Sequence, residues 1–153
     1  MLSLNTYESW FEALSPSLVS NVYHIDIHSI NVTQELKSSL QEGKLLVLFS
    51  PEIKTSGGSI DSAIDNFECL LFVLEKVNLK ANNSEAERKR VRNETLAVAS
   101  DIRDLMFQIA ADIEIPCHFL KNINHSSVSF NKVGPVFSNM YGWALGFSIS
   151  API

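Results

Sequence analysis

A chain of 153 residues with 46% hydrophobic and 19% charged content has the composition of one soluble globular domain, expected to span residues 1–153 and to bury a sizeable core without disulfides or metals. Its two cysteines, Cys69 and Cys117, are 48 positions apart, which excludes a disulfide framework and paired zinc knuckles. A net charge of −5 argues against a general polyanion binder, so nucleic acid is not an expected partner.

In chain order, Tyr7, Trp10, Phe11 and Leu14 share one helical face, with Asn5 or Thr6 as N-cap and Pro16 beyond the end. Residues 22–28 alternate at period two, with Tyr23, Ile25 and Ile27 on one side and His24, Asp26 and His28 on the other, predicting a half-buried strand. A brief helix capped by Asn31 and carrying Leu36 and Leu40 follows, and Gly43 stands where a left-handed stop is needed. Leu45 to Phe49 is a continuous apolar run, long enough for a strand buried on both faces and too short for a typical helix.

Residues 51–66 turn polar around Gly57-Gly58 and predict a mobile loop of about sixteen residues, far longer than the usual 2–5 of a hairpin. Ile53, Ile60 and Ile64 inside it would be wasted in water, so the loop is expected to be ordered by a neighbouring subunit. Residues 67–77 predict a second long strand. Ser84 with Glu87 forms a capping box, and Val91, Val98, Ile102, Leu105, Ile109 and Ile113 carry a helical stripe up to Pro116. Two closing strands follow, residues 127–133 and a last one in which Trp143, Leu145, Phe147 and Ile149 alternate with Ala144, Gly146, Ser148 and Ser150. The predicted class is α+β, a mainly antiparallel sheet packed against one long helix with short additional helices, its second sheet face left for solvent or a partner.

Four groupings carry candidate chemistry. His24, Asp26 and His28 could bridge a metal from one strand face, although an exposed polar strand produces the same pattern. Cys117 beside His118 suggests a nucleophile and base, but on a strand such neighbours point to opposite sides, so a core cysteine next to an exposed histidine is expected instead. Arg88, Lys89, Arg90 and Arg92 are the densest basic cluster, with Glu85, Glu87 and Glu94 placed to neutralise it. Gly57 and Gly58 alone make no phosphate loop, and no nucleophile elbow or dinucleotide fingerprint occurs, so neither an enzyme nor a cofactor is expected. Apolar runs of five or six residues are too short to span a bilayer, and Glu8 and Glu12 near the start do not suit a secretory signal, giving a cytoplasmic expectation.

The stretch Phe130-Asn131-Lys132-Val133-Gly134-Pro135-Val136-Phe137-Ser138-Asn139-Met140-Tyr141-Gly142-Trp143, closing in Phe147-Ser148-Ile149, resembles the ending of small structural proteins encoded in bacterial prophages. Tyr7 to Leu14 resembles their opening helix. The resemblance implies a phage tail or neck component, similar to tail terminators, whose α+β subunits form a ring capping the tail tube. Its partners would be further copies of itself, as a ring-like homo-oligomer, and other tail or neck proteins, within a virion or tail-like particle. The expected contact residues are Ile53, Gly57, Gly58, Ile60, Ile64, Arg88, Lys89, Arg90 and Arg92. The competing reading is a small ligand- or metal-binding module built on the His24/Asp26/His28 face.

Overall fold

The computed structural model describes residues 3–19, 21–25, 43–77, 84–115, 117–136 and 139–152, excepting the side chains of 15–17, 21, 23–25, 84, 151 and 152. Helix α1 spans Leu4–Leu18 and is followed by strands β1 (Asn21–Ile25), β2 (Lys44–Phe49), β3 (Glu52–Ser56) and β4 (Ile64–Lys76). Helix α2 (Ser84–Ala111) then precedes β5 (Ile123–Val136) and β6 (Met140–Pro152). Short 3-10 turns lie at Ile60–Ser62 and Phe119–Asn122. The expected helix between Asn31 and Gly43 lies outside the described residues, although Gly43 has the positive φ of 98° that a left-handed stop demands.

The strands form one six-stranded sheet in the order β1-β2-β4-β6-β5, with β3 also pairing with β4. Every pairing is antiparallel except β1 with β2. The thirteen-residue registers of β4 and β6 coincide from Ile64↔Pro152 to Lys76↔Met140, so these two strands are the spine of the molecule.

Both helices cover the same face. Tyr7 and Phe11 from α1, with Val98, Ala99, Ile102 and Met106 from α2, bury against Leu46, Leu48, Phe67, Leu71, Val73, Leu145, Phe147 and Ile149. The alternation read in the last strand is thereby the core side of β6. On the opposite face the arrangement differs from the open surface expected. Leu45, Val47, Leu74 and Met140 form a second buried cluster with Phe49, Phe72, Val133 and Val136 against it, which is why β2 is apolar on both faces from Leu45 to Phe49. The rest of that face is small and polar: the Ser150 hydroxyl donates to Asn66 Oδ1 (2.8 Å) and Asn66 Nδ2 donates to Ser56 Oγ (3.0 Å), linking β6, β4 and β3.

Helix α1 starts earlier than its apolar stripe implies. Ser3 Oγ accepts from the Thr6 amide at 3.1 Å, so Ser3 caps it. It also runs through Pro16 to Leu18. A proline inside a helix costs about 3 kcal/mol, and the burial of Leu14, Leu18 and Val19 against the core offsets that. Helix α2 has 28 residues, about 42 Å at 1.5 Å each. Its buried stripe is Val91, Thr95, Val98, Ala99, Ile102 and Met106, the Thr95 hydroxyl being satisfied by the Val91 carbonyl at 2.7 Å. The stripe stops short of Ile113, which is 93% exposed beyond the helix end.

Candidate assembly surface

Residues 51–66 form a hairpin rather than an unstructured loop. Between Leu48↔Leu71 and Glu52↔Glu68 the first strand has three residues, Phe49 to Pro51, facing two on β4, so a bulge joins β2 to β3 along one edge of β4. The extra residue inverts the alternation: even positions of β2 and odd positions of β3 face the helices. The Thr55 hydroxyl donates to Asp65 at 2.7 Å, which satisfies a carboxylate that is itself nearly buried. At the tip Gly57 has φ 131°, and a Cβ there would come within 2.5 Å of the Ser62 carbonyl oxygen, so glycine is required. Gly58 has open space around it and no such requirement. The Ser62 hydroxyl accepts from the Ser59 amide (3.2 Å), and the Ser62 amide donates to the Ser59 carbonyl (3.1 Å), closing the turn. These bonds hold the segment as a hairpin within a single chain, which corrects the expectation of a long loop without secondary structure.

The three isoleucines of the hairpin do remain in water. Ile53 is 60%, Ile60 86% and Ile64 41% exposed. Ile53 lies on the helix-covered face beyond the reach of the helices, Ile64 lies on the other face, and Ile60 stands at the tip. They share the hairpin without forming one continuous patch.

The basic cluster is engaged internally. Arg90 binds Glu87 with two hydrogen bonds (3.1 and 2.6 Å), donates to Glu94 at 2.6 Å and lies 3.8 Å from Glu75 of β4. Lys44 of β2 reaches Glu94 at 3.4 Å, so the network fastens α2 to two strands. The hydrogen bonds from Arg90 hold the Glu87 carboxyl below its usual range, and in turn raise the guanidinium of Arg90. Arg88 and Arg92 lie over the Tyr141 ring at 5.8 and 5.4 Å, and the Arg92 carbonyl accepts from the Trp143 indole at 2.9 Å. Lys89 is exposed. Glu87 and Glu94 neutralise the cluster as the helical spacing predicts, whereas Glu75 arrives from a distant strand that spacing cannot reveal.

At Cys117 and His118 the sequence expectation is inverted. Cys117 is exposed and His118 half-buried, because the residues precede a 3-10 turn instead of continuing a strand. His118 Nδ1 accepts from the Leu120 amide at 3.2 Å, and its ring stacks on Phe119 at 4.7 Å. That bond leaves the ring proton on Nε2, making the imidazole a donor with no lone pair to offer a thiol. Desolvation, then the charge of Lys121, lowers its pKa and keeps the ring neutral. His118 lies in an open groove of about 480 Å³ with Asn5, Thr6, Ser9, Trp10 and Phe119, none of them ionised.

The other cysteine is inert. Burial pushes the Cys69 thiol up to about 12, with the neighbouring Tyr7 phenol acting in the opposite sense. Burial also raises the Tyr7 phenol, whose hydroxyl has no hydrogen-bond partner among the described residues, while the Cys69 thiol donates to the Phe67 carbonyl at 3.6 Å.

The His24/Asp26/His28 grouping is only partly visible: His24 contributes backbone to β1, while its side chain and residues 26 and 28 lie outside the described residues. Among the described residues, no three His, Cys, Asp or Glu side chains come together to hold a metal ion. No described helix is long and apolar enough to cross a membrane. Neither a protein-family model nor a curated protein matches the sequence.

Proposed function

We propose that this chain is a structural assembly protein of a phage tail or tail-derived particle, of the tail-terminator or neck-ring kind, acting by self-association and attachment to other tail proteins rather than by catalysis. The observation that carries the reading is the exposed hairpin: all five residues of β3 face water, and Ile53 and Ile60 expose most of their apolar surface on an internally hydrogen-bonded element. A hairpin already held by its own hydrogen bonds is suited to docking, since forming it is not left to the moment of contact. The resemblance of Tyr7–Leu14 and of the stretch from Phe130 to Ile149 supplies the kind of particle.

The test is biochemical. Tail particles purified from an induced culture of the source strain should contain the chain in stoichiometric amount, and the isolated chain should show a mass that rises with concentration. A chain that is absent from purified tails and stays monomeric at all concentrations refutes the reading.

A further inference from the structure

Natural edge strands are commonly blunted by shortness, a charged residue or proline, because an unprotected edge pairs with whatever it meets. Among the described residues strand β3 pairs with β4 alone, and it has all three devices: five residues, Lys54, and Pro51 just before it. It also carries an unsatisfied arrangement of charge. Glu52 lies directly across from Glu68 of β4, a like-charged cross-strand pair that disfavours the ladder, while Lys54 lies across from the neutral Asn66. Among the described residues no cation lies within ion-pairing distance of Glu52 or Glu68, and Lys54 has no ion pair.

We propose that β3 pairs antiparallel with β3 of a second copy of this chain, about a two-fold axis perpendicular to the sheet and level with Ile53. The contact deepens the assembly reading and rests on it. The register follows from symmetry and charge. A two-fold axis between identical edges maps each sheet face onto itself, so it lies midway between the strands and level with a residue, never level with the gap between two. Centred on Glu52 the pairing sets Glu52 against its own copy, and centred on Lys54 it sets Lys54 against its own copy. Only the axis at Ile53 places Glu52 opposite Lys54, and it does so twice. Ile53 then meets its equivalent on the helix-covered face, removing from water two side chains that are each 60% exposed. The pairing ends where Ser56 comes level with the bulge at Ser50 and the chain turns away at Gly57. Lys54 thus blocks the wrong registers and selects the right one. The contact is isologous and closes on two copies, so a ring would require a second and different interface.

The experiment is sedimentation equilibrium on the full chain, with circular dichroism and thermal unfolding to show that each variant folds. Wild type should associate reversibly to a dimer. Lys54→Glu turns two attractive pairs into two repulsive ones and should weaken the dimer by about tenfold or more. The double variant Glu52→Lys/Lys54→Glu should restore it. In a Cys117→Ser background, Ile53→Cys should form an interchain disulfide on mild oxidation, whereas Thr55→Cys, which would face Pro51 of the other copy, should not. If Lys54→Glu associates as tightly as wild type, or the double exchange fails to restore pairing, the β3 contact is overturned while assembly through another surface stands. If wild type is monomeric at every concentration and absent from tails, both fall.

Discussion

Two glycines on the same face of β6 should respond in opposite ways to a single methyl group, and the contrast tests the register of the central strand pair. A Cβ built on Gly142 lies 1.9 Å from the Val73 carbonyl oxygen and 2.9 Å from its carbon, both backbone atoms of β4. Ordinary contact begins near 3.4 Å, so Gly142→Ala forces β4 and β6 apart locally by about 1.5 Å. Ladder bonds near 2.9 Å do not survive such a displacement. Losing about two of them, at roughly 1 kcal/mol each, adds to an overpacking cost of about 1–3 kcal/mol. The expected loss is about 3–5 kcal/mol, a large part of the 5–15 kcal/mol typical of a domain. Gly146 is different, since its Cβ would press on the Ser129 hydroxyl at 3.3 Å, a side chain that can rotate away, and would meet the Cys69 carbonyl oxygen at an ordinary 4.0 Å. Gly146→Ala should therefore be neutral or stabilising by up to about 0.5–1 kcal/mol, through reduced freedom of the unfolded chain. Urea unfolding and thermal melts of both variants measure this directly, and at about 2–4 °C per kcal/mol the first should lower the melting temperature by about 10 °C. A Gly142→Ala variant within about 1 kcal/mol of wild type would refute the described approach of β6 to β4.

Replacing Tyr7 by Phe removes a fully buried hydroxyl that lacks a proper hydrogen bond, so the variant should be more stable by about 1 kcal/mol in denaturant unfolding; destabilisation would show that the hydroxyl is bonded after all. Cys69 is held at about 12 against an ordinary value of 9.0, so its folded form favours the protonated thiol; the associated stability is complete below pH 9 and disappears as pH rises through 12, on the order of 4 kcal/mol in all. Cys69→Ala should flatten the fall of stability between pH 9 and 11, and an unchanged slope would count against the burial of this thiol. A thiol reagent should modify Cys117 in the native protein and leave Cys69 untouched until denaturant is added, as read by intact mass. Fast native modification of both would contradict the core position of Cys69.

Much of the architecture is legible in local sequence because burial imposes periodicity. The α+β class, the run from Leu45 to Phe49, the strand from Phe67 onward, the helix from Ser84 and the alternation from Trp143 to Ile149 all follow from which face of each element meets the core. Local chemistry likewise marks Gly43 for a positive φ and pairs Arg90 with its helical neighbours Glu87 and Glu94. Strand β3 was not legible, because the bulge at Phe49–Pro51 inverts the alternation and every side chain of β3 is exposed, which leaves no apolar period to detect. The reach of α1 past Pro16 and the exposure of Ile113 were also decided by tertiary contact: core burial at Leu18 and Val19 outweighs a local breaker, while no partner arrives at Ile113. The same holds for the candidate surface. Composition marked Ile53, Ile60 and Ile64 as anomalous in a polar segment, but only the pairing of β3 with β4 shows that Glu52 faces Glu68 and that the exposed Ile53 stands across from the buried Phe67. Residue type and spacing act along the chain, whereas register and exposure depend on which distant strand closes the ladder.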